Sequence, residues 1–154
     1  MTSLLTPCCQ EPPSRMQRIN GIPPLNINGE NIMDNPLRWF EIPTTDLDRA
    51  VAFYQTILAI ELRREHCGGG NMAIFPYAEP YPSGALVAMP QMQPRDNGTL
   101  IYLDGGADLN VVLARIPSAG GQVVMEKTDL GNNIGHIALF IDCEGNRVGL
   151  YSKD

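Results

Sequence analysis

Between Arg38 and Pro43 apolar and polar side chains alternate, the period of a half-buried β-strand. The period then changes. Leu47, Val51, Tyr54 and Leu58 recur at helical spacing on one face, and Thr45 or Asp46 can cap the helix in front of them. Three strands are predicted next, over 61–66, 71–76 and 84–89, separated by Gly68-Gly69-Gly70 and by Pro80-Tyr81-Pro82-Ser83-Gly84. Pro90 to Gly98 reads as a linker. A fifth strand, Thr99–Leu103, leads through Gly105-Gly106 to Asp108, the cap of a second helix that closes at Gly120-Gly121. Pro117 cannot donate to the carbonyl of Leu113, so this helix is expected to kink or stop early. Further strands fall near 122–126, 136–141 and 147–151, with Glu144-Gly145-Asn146 forming the last hairpin turn.

The order strand, helix, three strands therefore occurs twice. Asp46-Leu47 corresponds to Asp108-Leu109, and the same offset takes Asn71 to Asn133 and Gly84-Ala85-Leu86 to Asn146-Arg147-Val148. Each βαβββ unit makes a small, strongly curved sheet with a helix over its convex side. Two such units side by side leave a half-open curved-sheet cavity, an α+β architecture that presents a small-molecule site almost by construction. Module one is expected over 36–92 and module two over 97–152, within a domain spanning 34–154.

Residues 1–33 carry Pro, Asn, Gln and Gly without periodicity and are expected to form a disordered leader. Gly29-Glu30 can be encoded by a purine-rich ribosome-binding sequence, which makes Met33 a candidate biological start. N-terminal sequencing of natively expressed protein would decide the point.

Composition narrows the function classes. A formal charge of −6 argues against nucleic acid and against a polybasic membrane patch. No apolar run approaches the ~20 residues a membrane-spanning helix needs, and no signal-peptide pattern opens the chain. Cys8, Cys9, Cys67 and Cys143 lack zinc spacing and read as reduced thiols. A cytoplasmic location is the expectation.

The string Trp39-Phe40-Glu41-Ile42-Pro43-Thr44-Thr45-Asp46-Leu47-Asp48-Arg49-Ala50, followed by Val51-Ala52-Phe53-Tyr54, resembles the opening of vicinal oxygen chelate proteins. Gly98-Thr99-Leu100-Ile101-Tyr102-Leu103 is similar to the first strand of their second module. Asp142-Cys143-Glu144-Gly145-Asn146-Arg147-Val148-Gly149-Leu150 resembles their closing hairpin, with Cys143 where proline is usual. The resemblance covers about residues 36–152. It is nearest to the branch related to lactoylglutathione lyase, and also takes in bleomycin-resistance proteins and extradiol dioxygenases. It implies a tandem βαβββ fold, a small-molecule ligand or substrate, and a homodimer. It does not by itself imply an activity.

Catalytic members hold a divalent ion with His and Glu ligands from four cavity strands, where it acts as a Lewis acid. Carried over residue by residue, those positions fall on Trp39, within Leu86–Met89, within Gly98–Ile101, and on Gly149. A transition-metal site needs His, Cys or carboxylate donors, and none of these positions supplies one. No metal ligands and no cofactor are therefore expected. The alternative is a Zn, Ni, Mn or Fe site rebuilt from other residues. Glu41, His66 and His136 are the nearest candidates, and only Glu41 lies on a usual ligand-bearing strand. His66 reads as an exposed residue at a strand end.

Trp39, the sole tryptophan, either offers a flat surface to a ligand ring or packs the space left by the metal. Glu41 shares its strand face. It is the candidate catalytic acid or base, or the partner of a ligand cation, unless it pairs with Arg38 or Arg147. Tyr102, His136 and Tyr151 complete the expected ligand-binding set. The leading expectation is a metal-free glyoxalase/bleomycin-resistance-like protein that binds a small apolar or aromatic molecule between its modules. The competing one is a lyase, isomerase or dioxygenase-type enzyme using a rebuilt metal site or Glu41.

Overall fold

The computed structural model describes residues 35–67 and 70–154. The expectations for residues 1–33, and for Gly68 and Gly69, lie outside these described residues. Among the described residues eight strands and three helices follow one another as β1 (Trp39–Pro43), α1 (Leu47–Leu58), β2 (Arg63–Cys67), β3 (Gly70–Ile74), β4 (Ser83–Ala88), β5 (Tyr102–Asp104), α2 (Leu109–Leu113), α3 (Ile116–Ala119), β6 (Gln122–Asp129), β7 (His136–Ile141) and β8 (Arg147–Ser152). They form two four-stranded sheets of the same topology, β1-β4-β3-β2 and β5-β8-β7-β6. In each, the first strand runs parallel to the last and the other pairings are antiparallel. The tandem βαβββ reading of the sequence is thus the observed fold.

Local chemistry accounts for the helix boundaries. Asp46 and Asp108 both sit in extended backbone and accept from amides of the first turn, Arg49 N–H and Asn110 N–H, each at 3.0 Å. The second helix breaks where proline required it: α2 stops at Leu113, and Pro117 lies in the first turn of the separate α3. Module two inserts one residue between strand and cap. Thr44 N–H bonds Val87 O beyond β1, while its counterpart beyond β5 is Gly105 N–H on Tyr151 O. The caps keep a common offset, but the strands before them slip by one position.

The helix-facing sides of both sheets share one core. Ile42 and Leu86 from the first sheet, Phe140 and Leu150 from the second, and Phe53, Tyr54 and Ile116 from the helices belong to the same buried cluster. Phe53, Tyr54, Phe75 and Phe140 meet in edge-on and tilted pairs with centroids 5.1–6.5 Å apart. The opposite side of the first sheet carries a second, smaller cluster of Met72, Ile74, Ala85 and Val87, against which Met89 and Met92 pack.

The β7–β8 hairpin locks the modules together through polar groups. Buried Asp142 accepts from Tyr54 Oη (2.8 Å), from Glu144 and Asn146 N–H (2.8 Å each) and from Asn146 Nδ2 (2.9 Å). Asn146 Nδ2 also donates to Pro43 O at the end of β1. The Glu144 carboxylate accepts from Thr45 N–H and Oγ1–H, from Asp46 N–H and from Arg49 Nε. Burial alone would raise its pKa, but hydrogen bonds from Arg49, Thr45 and Asp46 prevail and bring it down to about 2. The Tyr54 phenol is pushed well above its ordinary range by burial and by Asp142.

Candidate functional site

Strand alternation sends Phe40 and Ile42 into the shared core and brings Trp39 and Glu41 out on the far side of the first sheet. Their partners on β4 are small: Trp39 lies opposite Ser83 and Glu41 opposite Ala85. The indole Nε1–H donates to Glu41 Oε1 at 3.3 Å. The ring is 43% exposed, and Glu41 is exposed beside it. Neither Arg38 nor Arg147 pairs with Glu41; the ion pairs among the described residues are Arg49–Glu144, Arg63–Glu65, Arg64–Asp48 and Lys127–Asp108.

On the second sheet Tyr102 stands opposite Gly149 and Asp104 opposite Tyr151, while Leu103 between them enters the core. The Tyr102 ring lies over Gly149, where a β-carbon would come 2.4 Å from its Cδ1. Tyr102 is 45% exposed. Tyr151 Oη donates to Ile134 O at 2.6 Å, which holds its ring against the sheet. Tyr102 and Tyr151 share the wall of an open cleft of about 560 Å³ with Asp104, Gly106, Lys153 and Asp154.

His136 goes elsewhere. It pairs with Ser152 and alternates in phase with Ala138 and Phe140, so it faces the helices, whereas Ile137 opposite Tyr151 faces the open side. Its Nδ1 is buried and has no partner among the described residues. His66 lies in β2, with Nδ1 2.8 Å from Asn71 Oδ1 across the hairpin, and does not approach Trp39's face. The structure thus groups Trp39 with Glu41, and Tyr102 with Tyr151, and separates His136 from both pairs. Asp104 is the residue that sequence reasoning missed. The predicted strand ended at Leu103, and one more step of the alternation would have placed Asp104 beside Tyr102.

A second cleft, of about 630 Å³, opens between the modules on the helix side, walled by Phe40, Leu58, Phe75, Leu103, Val112 and Arg115. Arg115 is engaged there, donating from Nη1 to Ile57 O near the end of α1. No motif marks these residues, because a gap between packed elements has no sequence period of its own.

The residues present do not fit a divalent ion at the positions the resemblance assigns. Trp39 offers an indole, Leu86 and Val87 are buried apolar side chains, and Tyr102's ring fills the space a side chain at 149 would need. Among the described residues no three His, Cys, Asp or Glu side chains converge. Cys143 adds no nucleophile. Burial, together with Asp142 and Glu144, pushes its thiol up to about 12.

The sequence profile described as "Bleomycin resistance protein-like N-terminal" matches residues 37–62, which hold β1 and α1. No curated protein matches the chain in sequence. Among solved structures, a mutant of glyoxalase I from Zea mays superposes with a TM-score of 0.58 at 20% identity, over 81% of this chain and 48% of that one. The chain thus spans about half the length of that relative. A glyoxalase-related enzyme from Fulvimarina pelagi gives a TM-score of 0.56 at 12% identity, over 75% and 86% of the two chains. A genomically encoded fosfomycin resistance protein from Listeria monocytogenes gives 0.55 at 16% identity, over 79% and 92%. Among the described residues no helix is long and apolar enough to cross a membrane.

Proposed function

The chain has the fold of the vicinal oxygen chelate superfamily, and on that premise we propose that it is a glyoxalase/bleomycin-resistance-like protein that binds a small apolar or aromatic molecule without a metal ion. We place the ligand on the open face of the first sheet, stacked on Trp39 and bordered by Glu41, with Tyr102 and Tyr151 on the corresponding face of the second sheet. One observation carries this reading. The sole indole stands 43% exposed on a strand position opposite the small residue Ser83, on the sheet side away from the shared core. An indole that merely filled a void would be enclosed by the chain around it. This one presents a flat apolar ring with its N–H already bonded to Glu41.

A second copy of the chain laid over these faces encloses the ligand, so we expect a homodimer. Sedimentation of the full chain tests that part. The donor set supports binding rather than metal-assisted chemistry in this reading, since among the described residues no three His, Cys, Asp or Glu side chains converge. The test of the reading is metal analysis of purified protein followed by a ligand screen read through Trp39 fluorescence. Saturable quenching in metal-free protein, without turnover, is the expected result. Stoichiometric Zn, Ni, Mn or Fe on which binding depends would overturn it.

A further inference from the structure

The two halves of the molecule repeat one architecture but not one filling. In one half the tip of the β7–β8 hairpin, residues 142–146, seats against the start of α1. Cys143 Sγ lies 3.8 Å from Arg49 O there, and the Glu144 carboxylate takes Thr45 N–H, Asp46 N–H and Arg49 Nε. The offset that superposes the caps Asp46 and Asp108 carries Arg49 to Val111, Ala50 to Val112 and Phe53 to Arg115. Val111, Val112 and Arg115 wall the helix-side cleft of about 630 Å³. Of the β3–β4 connection only Phe75, Pro76 and Pro82, at its two ends, reach that cleft, while Tyr77 and Tyr81 between them stand 50% and 72% exposed. Where one half holds its own hairpin tip, the other holds a cavity.

Most of the cavity wall is apolar, with Phe40, Leu58, Ile60, Phe75, Leu103 and Val112 facing the space. Of its lining residues only Arg115 is cationic, and it enters none of the ion pairs among the described residues. Its Nη1 donates to Ile57 O at 3.1 Å, which holds the planar fork in place and commits one of its five donors. The other polar side chains of the wall have partners. Ser83 Oγ donates to Phe75 O, Asp108 accepts from Lys127 and from Asn110 N–H, and Asp104 accepts Gly106 N–H. Both carboxylates belong to the β5–α2 end, two helical turns or about 10 Å from Arg115 along the helical path, where salt screens much of their field. We infer that this cleft is a second small-molecule site, for an apolar or aromatic carboxylic acid. Its carboxylate pairs with the free edge of the Arg115 guanidinium, a planar match that favours two parallel hydrogen bonds. Its body lies along Phe40, Leu58, Phe75 and Leu103 and removes their exposed edges from water. The site lies across the first sheet from Trp39 and does not depend on the sheet-face reading.

Two isosteric probes, 4-phenylbutyrate (anion) and 4-phenylbutanamide (neutral), test it when titrated into the full chain at neutral pH and followed by nitrogen–proton correlation spectra. Backbone signals of Leu58, Phe75, Ala107 and Val112 report the cleft, and the Trp39 indole signal reports the opposite face separately. The acid is expected to move the cleft signals saturably and about tenfold more tightly than the amide. Arg115→Met is expected to bring the acid down to the affinity of the amide and to leave the amide unchanged. Arg115→Lys keeps the charge without the planar fork and should retain part of the preference. Equal affinities for acid and amide at the cleft in the unaltered protein would overturn the proposal, a result that needs no variant to fold. So would an acid preference that survives Arg115→Met, or cleft signals that stay fixed with both probes. Movement of the indole signal alone would likewise overturn the cleft site while supporting the sheet-face one.

Discussion

The β7–β8 hairpin and the open sheet faces use the same side-chain types in opposite ways. At the hairpin, Asp142 accepts four hydrogen bonds, and Glu144 takes up two amides, a hydroxyl and a guanidinium. On the open faces, Glu41 accepts one indole N–H and Asp104 one amide, and the rings beside them are nearly half exposed. Buried carboxylates are retained when every lone pair is answered, because an unanswered one costs more than the contact returns. Exposed carboxylates that accept one such bond each add little to folding. The difference separates what holds the modules together from what is left to meet another molecule.

That comparison predicts a graded set of outcomes. The largest effect is expected at Asp142. Replacing it with alanine strands the Tyr54 hydroxyl and the Asn146 amide in the core and should cost about 3–4 kcal/mol in urea unfolding. A loss below about 1 kcal/mol would mean that the hairpin network is not what joins the modules.

Next comes acid. Glu144 titrates at about 2 in the folded protein against an ordinary 4.5, so its folded pKa is depressed. The stability it confers is full above 4.5 and fades as pH falls toward 2, a loss of about 2 kcal/mol once screening around the exposed Arg49 is allowed for. Glu144→Gln should lower stability at neutral pH and flatten that window of the pH profile. An unchanged profile would contradict the assignment.

Smaller still is the strain of refilling position 149. Gly149→Ala places a β-carbon against the Tyr102 ring and should cost about 1 kcal/mol. Tyr102→Ala should relieve that cost in the double variant, and additive effects would show that the ring does not occupy the space. The smallest effect on stability, under about 0.5 kcal/mol, is expected from Asp104→Asn.

Features written locally were the legible ones. Asp46 and Asp108 cap helices because a short carboxylate before an apolar-periodic run has one low-energy use, and Pro117 splits the second helix for want of an N–H. Trp39 and Glu41 share a face because alternation on one strand leaves no choice. What resisted reading depends on partners distant in sequence. The fifth strand is Tyr102–Asp104 rather than Thr99–Leu103, since its limits are set by pairing with β8. The facing of His136 follows from the register of β7 against β8, which no residue near it encodes. The helix-side cleft likewise exists only once two modules are packed.

The sole tryptophan makes the central claim directly measurable, because its indole Nε1–H gives one resolvable amide-type resonance in a nitrogen–proton correlation spectrum. With a chelator present and a saturating apolar or aromatic ligand found by screening, that resonance is expected to move in proportion to occupancy, together with backbone signals of Ser83, Ala85 and Gly149. A ligand that saturates the protein while the indole signal stays fixed, or that binds only when divalent metal is restored, would contradict the account.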